Sequence, residues 1–134
     1  MKNDSYAAAK KGKTGLQRII NALGYSKDGL KAAYRFESAF RQLALLNAIL
    51  IITAFLLNFG PATRTLLIMA SFISLITELF NTAIEAAVDH TSTEKHELAK
   101  RAKDAGSAAQ LLALTLLALV WLMSLWREYG FNLF

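Results

Sequence analysis

The sequence predicts an all-α membrane protein with three transmembrane helices plus an N-terminal interfacial amphipathic helix or helices. Three apolar runs, near residues 39–59, 62–89 and 104–127, are each long enough to cross a hydrocarbon core of about 30 Å as a helix. Hydrophobic residues make up 54% of the 134 positions, more than a soluble domain of this size can bury. We therefore expect one membrane domain at residues 15–134, preceded by a flexible basic tail at residues 1–14.

The segment before the first span has the pattern of short amphipathic helices. Apolar residues from Leu16 to Leu23 recur with i, i+3, i+4 and i+7 spacing, which places them on one helix face. Gly24 is expected to end this helix, and a second one is expected to begin near Asp28. Both are expected to lie in the cytoplasmic interface, with Lys and Arg reaching lipid phosphates and apolar side chains facing acyl chains.

The boundaries of the three spans follow from turn and capping signals. A turn is expected at residues 58–61, because proline suits the first position of a new helix. The second run is uncharged from Thr65 to Thr77 and then becomes acidic. Residues 91–94 have a capping-box pattern, which predicts a short loop before the last helix. The third run, Ala105–Trp126, has 22 residues without a charge and is the clearest transmembrane signal.

The cationic residues predict the orientation in the membrane. Nine of the 15 Lys and Arg residues precede Leu43, four lie between His90 and Asp104, and the connection between the first two spans has only Arg64. The N-terminus and the second loop are therefore expected to be cytoplasmic. A net charge of +5 fits this arrangement better than nucleic-acid binding, because the cations lie beside apolar runs. The chain has no cysteine, which excludes thiolate metal sites and disulfides.

Polar residues form a stripe along the second span. Glu78, Asn81, Glu85 and Asp89 recur every three or four residues, so they share one helix face. Glu78 lies about 21 Å along the helix from Arg64, inside the hydrocarbon core, and Glu85 lies about 10 Å nearer the headgroups. A carboxylate at that depth is costly and usually functional. Hydrogen bonding that only holds helices together is the weaker alternative.

Two other segments can bring polar groups to this stripe. Glu37 precedes the first span and can meet Glu85 at the headgroup level, where two carboxylates suit Mg²⁺ bound together with phosphates. Lys103 and Asp104 open the third span and are followed by small residues that permit close helix packing. From spacing alone, Lys103 serves equally well as an interfacial anchor.

Several stretches of the chain resemble the signature of the prokaryotic diacylglycerol kinase family. The stretches that carry the resemblance are residues 18–20 (RII), 24–26 (GYS), 29–33 (GLKAA), 37–42 (ESAFRQ), 78–89 (ELFNTAIEAAVD), 96–100 (HELAK) and 102–109 (AKDAGSAA). They match in order and spacing, and the resemblance covers nearly everything from residue 15 to residue 127.

The resemblance implies a lipid kinase of the bacterial inner membrane. Such an enzyme moves the γ-phosphate of MgATP to the hydroxyl of diacylglycerol, gives phosphatidic acid, and works as a homotrimer with shared active sites. Two alternatives stay open: an undecaprenol kinase of the same family, and a non-catalytic or proton-coupled small membrane protein.

The resemblance also implies a role for each matching residue. Glu78 is the general base, Asn81 supports the base or the phosphate, and Glu37 and Glu85 hold Mg²⁺. The residues implied around the nucleotide are Arg18, Tyr25, Glu37, Glu85, Glu94, His96, Lys103 and Asp104. The residues implied for the lipid are Arg18, Lys31, Arg41, Gln42, Glu78 and Ser107.

Overall fold

The computed structural model describes residues 15–91 and 96–130, and the prediction of an all-α membrane protein is confirmed over that part of the chain. Three of its helices are long and apolar enough to cross a membrane. The predicted tail at residues 1–14, Glu94 and most of the predicted capping box lie outside the described residues. The four helices are α1 (Leu16–Phe36), α2 (Ser38–Leu56), α3 (Pro61–Thr91) and α4 (Glu97–Tyr129).

The N-terminal segment forms one continuous helix, so the predicted break at Gly24 is wrong. Only Gly15 has a positive φ among the described residues, and Gly24 therefore lacks the left-handed conformation that ends many helices. A glycine inside a helix costs about 1 kcal/mol relative to alanine, which is too little to interrupt it without a competing cap. The Ser26 hydroxyl donates to the Ala22 carbonyl at 3.0 Å, one turn back along the same helix.

A single extended residue, Glu37, separates α1 from α2. The last carbonyls of α1 are held by Arg41, whose Nη1 donates to the oxygens of Tyr34 at 2.9 Å and Arg35 at 3.1 Å. Helix ends leave such carbonyls without intrahelical partners, so this side chain acts as a C-terminal cap. Arg41, in the first turn of α2, thereby holds the C-terminal end of α1.

The opposite end of the bundle is closed around Phe59, which is 3% exposed. Its ring makes edge-to-face contacts with Trp121 at 6.0 Å and Tyr129 at 5.9 Å between centroids. The Asn58 backbone N–H donates to the Tyr129 hydroxyl at 2.8 Å. Arg64 Nε donates to the Ala54 carbonyl at 2.9 Å and caps α2. These contacts tie the turn before Pro61, where α3 begins as predicted, to the end of α4.

Inside the bundle, α2 and α3 are joined by a buried polar pair. Asn47, 1% exposed, donates from Nδ2 to Ser74 Oγ at 2.9 Å and to the Leu43 carbonyl at 3.0 Å. The Ser74 hydroxyl in turn donates to the Ser71 carbonyl at 2.8 Å. Most other large side chains of the three spans face outward and are apolar, as lipid contact requires. The predicted stripe on α3 therefore lies against the neighbouring helices.

Candidate active site

Glu78 lies at the wall of a groove that is formed by α2, α3 and α4. The side chain is 7% exposed, and the groove has a volume of about 560 Å³. Four residues that the sequence analysis assigned to catalysis or to the lipid line it together: Gln42, Glu78, Asn81 and Ser107. The rest of the lining is mostly apolar, from Leu43 and Leu46 on α2 to Leu111 and Leu114 on α4. The arrangement can hold a hydroxyl against a carboxylate while an acyl chain follows the leucines.

Asn81 is fixed by a contact on each side. Its Nδ2 donates to Glu85 Oε1 at 3.3 Å, one turn nearer the C-terminal end of α3. On the other side α4 approaches so closely at Gly106 that a Cβ there would lie 2.5 Å from Asn81 Oδ1. That oxygen is buried and has no hydrogen-bond partner within residues 15–91 and 96–130. A larger residue would push this amide oxygen aside, so Gly106 allows α4 to pack against Asn81 in its present position.

Three carboxylates are close enough for their charges to interact. Both Glu85 and Glu37 act electrostatically on the Glu78 carboxyl. Glu37 and Glu85 are half-buried, and they come from the start of α2 and from α3 respectively. In the described parts of the chain, no group of three or more His, Asp or Glu residues is arranged to hold a metal ion. A divalent cation here would therefore depend on two protein carboxylates together with phosphate and water oxygens.

At the C-terminal end of the stripe, Asp89 pairs with Lys103. Lys103 Nζ lies 2.9 Å from Asp89 Oδ1 and joins the end of α3 to the first turns of α4. Beside it, Lys100 and Asp104 form an ion pair within α4. All four side chains are largely accessible to solvent, so these pairs contribute little to stability. They leave a charged, water-accessible surface above the carboxylates.

The remaining predicted residues do not reach the groove in the single chain. Arg18, Tyr25 and Lys31 are exposed along α1. Arg18 is 19 residues before Glu37 on a continuous helix, which separates them by about 28 Å. Arg41 is turned toward the end of α1, where it caps carbonyls. His96 is exposed and occupies the N-terminal cap position of α4.

Comparison with known proteins assigns the chain to a family. The family model of the prokaryotic diacylglycerol kinases matches residues 24–125, which include every predicted site residue except Arg18. The chain belongs to the prokaryotic diacylglycerol kinase family. The expectation that the sequence motifs raised is therefore confirmed at the level of the family.

Relatives named diacylglycerol kinase cover most of the chain. The Pseudomonas aeruginosa protein is 56% identical over 111 residues, which are 83% of this chain and 90% of that protein. The protein from Escherichia coli K12 is 44% identical over 117 residues, covering 87% and 96% of the two chains. The protein from Helicobacter pylori 26695 is 50% identical over 107 residues, covering 80% and 84%.

One polar residue of the groove in this diacylglycerol kinase family member, Gln110, was not predicted from the sequence. Gln110 lies three positions after Ser107 on α4 and lines the groove with Glu78. Its Oε1 is buried and has no hydrogen-bond partner among the residues that the structure describes. Helical spacing from Ser107 was the available signal, since positions i and i+3 share a face. Asn47 was missed as well, but its bonds to α3 give it a packing role.

Proposed function

We propose that this protein is a diacylglycerol kinase, which transfers the γ-phosphate of ATP to the hydroxyl of diacylglycerol and forms phosphatidic acid. Family membership and the three similar diacylglycerol kinases support this activity. The observation that carries the mechanism is the groove in which a membrane-buried Glu78 stands beside Asn81 and Ser107 and above a row of leucines.

In this proposal Glu78 takes the proton from the lipid hydroxyl. The acceptor enters sideways from the bilayer, its acyl chains lie along leucines such as Leu46 and Leu114, and its hydroxyl meets the carboxylate. Glu85 is seven residues further along α3, about 10 Å nearer the cytoplasmic surface. ATP arrives from water and the hydroxyl from lipid, so a base that is deeper than the phosphate-side carboxylates suits this reaction. Phosphoryl transfer depends mainly on positioning and charge neutralisation, which needs no glycine-rich loop.

Glu37 and Glu85 are the residues that would hold Mg²⁺. Both carboxylates are half-buried and act electrostatically on Glu78, so a bound cation would offset the like charges of this group. Mg²⁺ commonly uses one or two carboxylates together with substrate phosphates, which fits a site with two protein ligands. When bound, the ion neutralises charge on the phosphates. Asn81 donates to Glu85 and so restrains that carboxylate.

The nucleotide is proposed to bind at the cytoplasmic surface, near the start of α4. Lys103, Asp104 and His96 lie there, and the Lys103 ammonium can pass from Asp89 to a phosphate because the pair is solvent-accessible. Glu94 and the α1 residues Tyr25 and Arg18 complete the proposed set.

A homotrimer with shared sites, as the family resemblance implies, is part of this proposal. Arg18 lies about 28 Å along α1 from Glu37 of its own chain. In a trimer with shared sites, α1 of one chain contributes its residues to the active site of another chain. Lys31 and Arg41 on the interfacial side, with Gln42 in the groove, are proposed to contact the lipid headgroup region.

The proposed location is the bacterial inner membrane, with the N-terminus and the second loop in the cytoplasm. The distribution of Lys and Arg favours this orientation. Nine of them precede Leu43 and four lie between His90 and Asp104, whereas the connection between the first two spans has only Arg64. In this orientation the end of α3 that carries Glu85 and Asp89 faces the cytoplasm, where ATP is available.

The direct test of the function is a comparison of acceptors. Purified protein in mixed micelles receives MgATP with either diacylglycerol or undecaprenol, and the phosphorylated lipid is quantified. We expect phosphatidic acid at a kcat/KM well above that for undecaprenol. Faster phosphorylation of undecaprenol would transfer the proposal to the undecaprenol branch of the family. A protein that phosphorylates neither lipid would contradict kinase activity and favour a proton-coupled or non-catalytic role.

A further inference from the structure

Gln110 is a polar residue of the groove for which the proposed mechanism has no use. It lines the groove together with Glu78, Asn81 and Ser107. Its side-chain oxygen is buried and lacks a hydrogen-bond partner within the described part of the chain. A polar atom that is unpaired in an apolar environment is costly, and in a bilayer water cannot supply the missing partner. That oxygen can only accept and is closed off from the groove, whereas the amide nitrogen donates to no residue in the described part of the chain and is not buried, so the nitrogen is the atom that an occupant can reach.

The position of Gln110 along α4 places it below the reacting hydroxyl. The helix enters the membrane from Glu97, so Gln110 is about 4.5 Å deeper than Ser107. The next groove residues on the same helix, Leu111 and Leu114, are apolar. The amide therefore stands at the boundary between the polar upper part of the groove and its apolar lower part.

The chemistry of the two acceptors differs at this boundary. In diacylglycerol the nearer ester group is attached to the carbon next to the one that carries the hydroxyl, so an ester carbonyl lies just below the reacting oxygen. Undecaprenol continues as hydrocarbon beyond its hydroxyl and offers no hydrogen-bond acceptor there. The amide nitrogen of Gln110 can donate an N–H to such a carbonyl, and an isoprenol has no group there to accept it. An amide at this depth can therefore distinguish a glyceride from an isoprenol.

We infer that Gln110 is a specificity-determining residue whose side-chain amide donates a hydrogen bond to an ester carbonyl of the bound diacylglycerol. The inference rests on the proposed lipid kinase function and goes beyond it, because the proposed phosphoryl transfer makes no use of the ester groups of the lipid. An apolar residue at position 110 leaves the reaction possible and removes the preference for the ester.

The test compares diacylglycerol with a dialkylglycerol of the same chain length, which has ether links in place of the esters and keeps the hydroxyl. For the wild-type protein we expect kcat/KM to be about tenfold lower with the diether, which corresponds to the loss of one hydrogen bond of about 1.4 kcal/mol. Gln110→Met has a similar volume and no amide. It is expected to lose about tenfold on the diester and little on the diether, so that the two acceptors become nearly equivalent.

Two further variants keep the experiment decisive. Ser71→Ala removes a buried hydroxyl that also lacks a partner but lies outside the groove, so it should keep the ester preference. Gln110→Asn withdraws the amide by one methylene and should lose the preference as well, which covers the case in which the methionine variant does not fold.

Equal losses on both acceptors would overturn the inference, since they would place Gln110 in packing or in a contact with another copy of the chain. A wild-type protein that uses diester and diether equally would overturn it without any variant. That result would leave the kinase function intact, whereas phosphorylation of neither glyceride would contradict the function itself.

Discussion

Replacing Gly106 with alanine tests whether the contact of α4 with Asn81 supports catalysis. The added Cβ would lie 2.5 Å from Asn81 Oδ1 and 3.5 Å from Ile84 Cδ1. The Ile84 distance is an ordinary contact, but the amide oxygen has to retreat by about 0.9 Å to move from 2.5 Å to the 3.4 Å at which ordinary contact begins. The Asn81 side chain is therefore the group that moves.

The movement is expected to break the bond from Asn81 to Glu85, which is already long at 3.3 Å. A hydrogen bond to a charged group contributes about 1.5–3 kcal/mol, and each 1.36 kcal/mol corresponds to about a factor of ten in rate. We therefore expect kcat to fall roughly tenfold to a hundredfold. The fold itself should not suffer, because alanine is a better helix former than glycine by about 1 kcal/mol.

The measurement is kcat for phosphatidic acid formation, together with the thermal midpoint in detergent. Gly29→Ala is the matched control, because its Cβ meets no heavy atom within 4 Å and should leave kcat unchanged. Asn81→Ala should show a similar loss, and adding Gly106→Ala to it should change kcat little. Wild-type kcat in Gly106→Ala, or losses that multiply in the double variant, would refute the reasoning.

Three other variants test separate parts of the account. Asn47→Leu removes the bond between α2 and α3 and is expected to lower the free energy of unfolding by about 0.5–1.5 kcal/mol, with kcat retained; an unchanged thermal midpoint would contradict the packing role. Lys103→Met is expected to raise the KM for ATP about fivefold or more, because the ammonium is lost from the proposed nucleotide site. Asp89→Asn breaks the same exposed ion pair and should change the KM and the thermal midpoint little. Equal effects of the two variants on the KM would mean that Lys103 acts only through its ion pair. Tyr129→Phe loses one hydrogen bond at the far end of the bundle, so the free energy of unfolding should fall by about 1 kcal/mol without a change in kcat, and a large loss of activity would contradict its purely structural role.

The architecture could be predicted because bilayer thickness fixes the length of an apolar helix. The predicted spans near residues 39–59, 62–89 and 104–127 agree with α2, α3 and α4 apart from their ends: α2 already ends at Leu56, and α4 begins at Glu97, seven residues before the predicted start. The break at Gly24 could not be decided from sequence, because a helix glycine and a terminating glycine differ in φ and not in composition.

Part of the site could be predicted because the period of an α-helix decides which residues share a face. Helical periodicity placed Glu78 and Asn81 on one face, and the structure adds Gln42 and Ser107 from two other helices to the same groove. Gln110 was missed because a neutral amide within an apolar run does not stand out as a charged residue does. The close approach of Gly106 to Asn81 depends on how α3 and α4 pack, which no single-helix pattern reveals.

The central claim is that Glu78 removes the proton from the lipid hydroxyl, and Glu78→Gln tests it most directly. The substitution keeps the size and polarity of a side chain that is 7% exposed, so the protein should fold and bind MgATP as the wild type does. A general base contributes about 10²-fold to 10⁴-fold, and turnover of diacylglycerol should fall by that factor. Glu97→Gln, at the exposed start of α4, serves as the control and should keep full activity. A Glu78→Gln protein that retains more than about a tenth of wild-type kcat would contradict the claim.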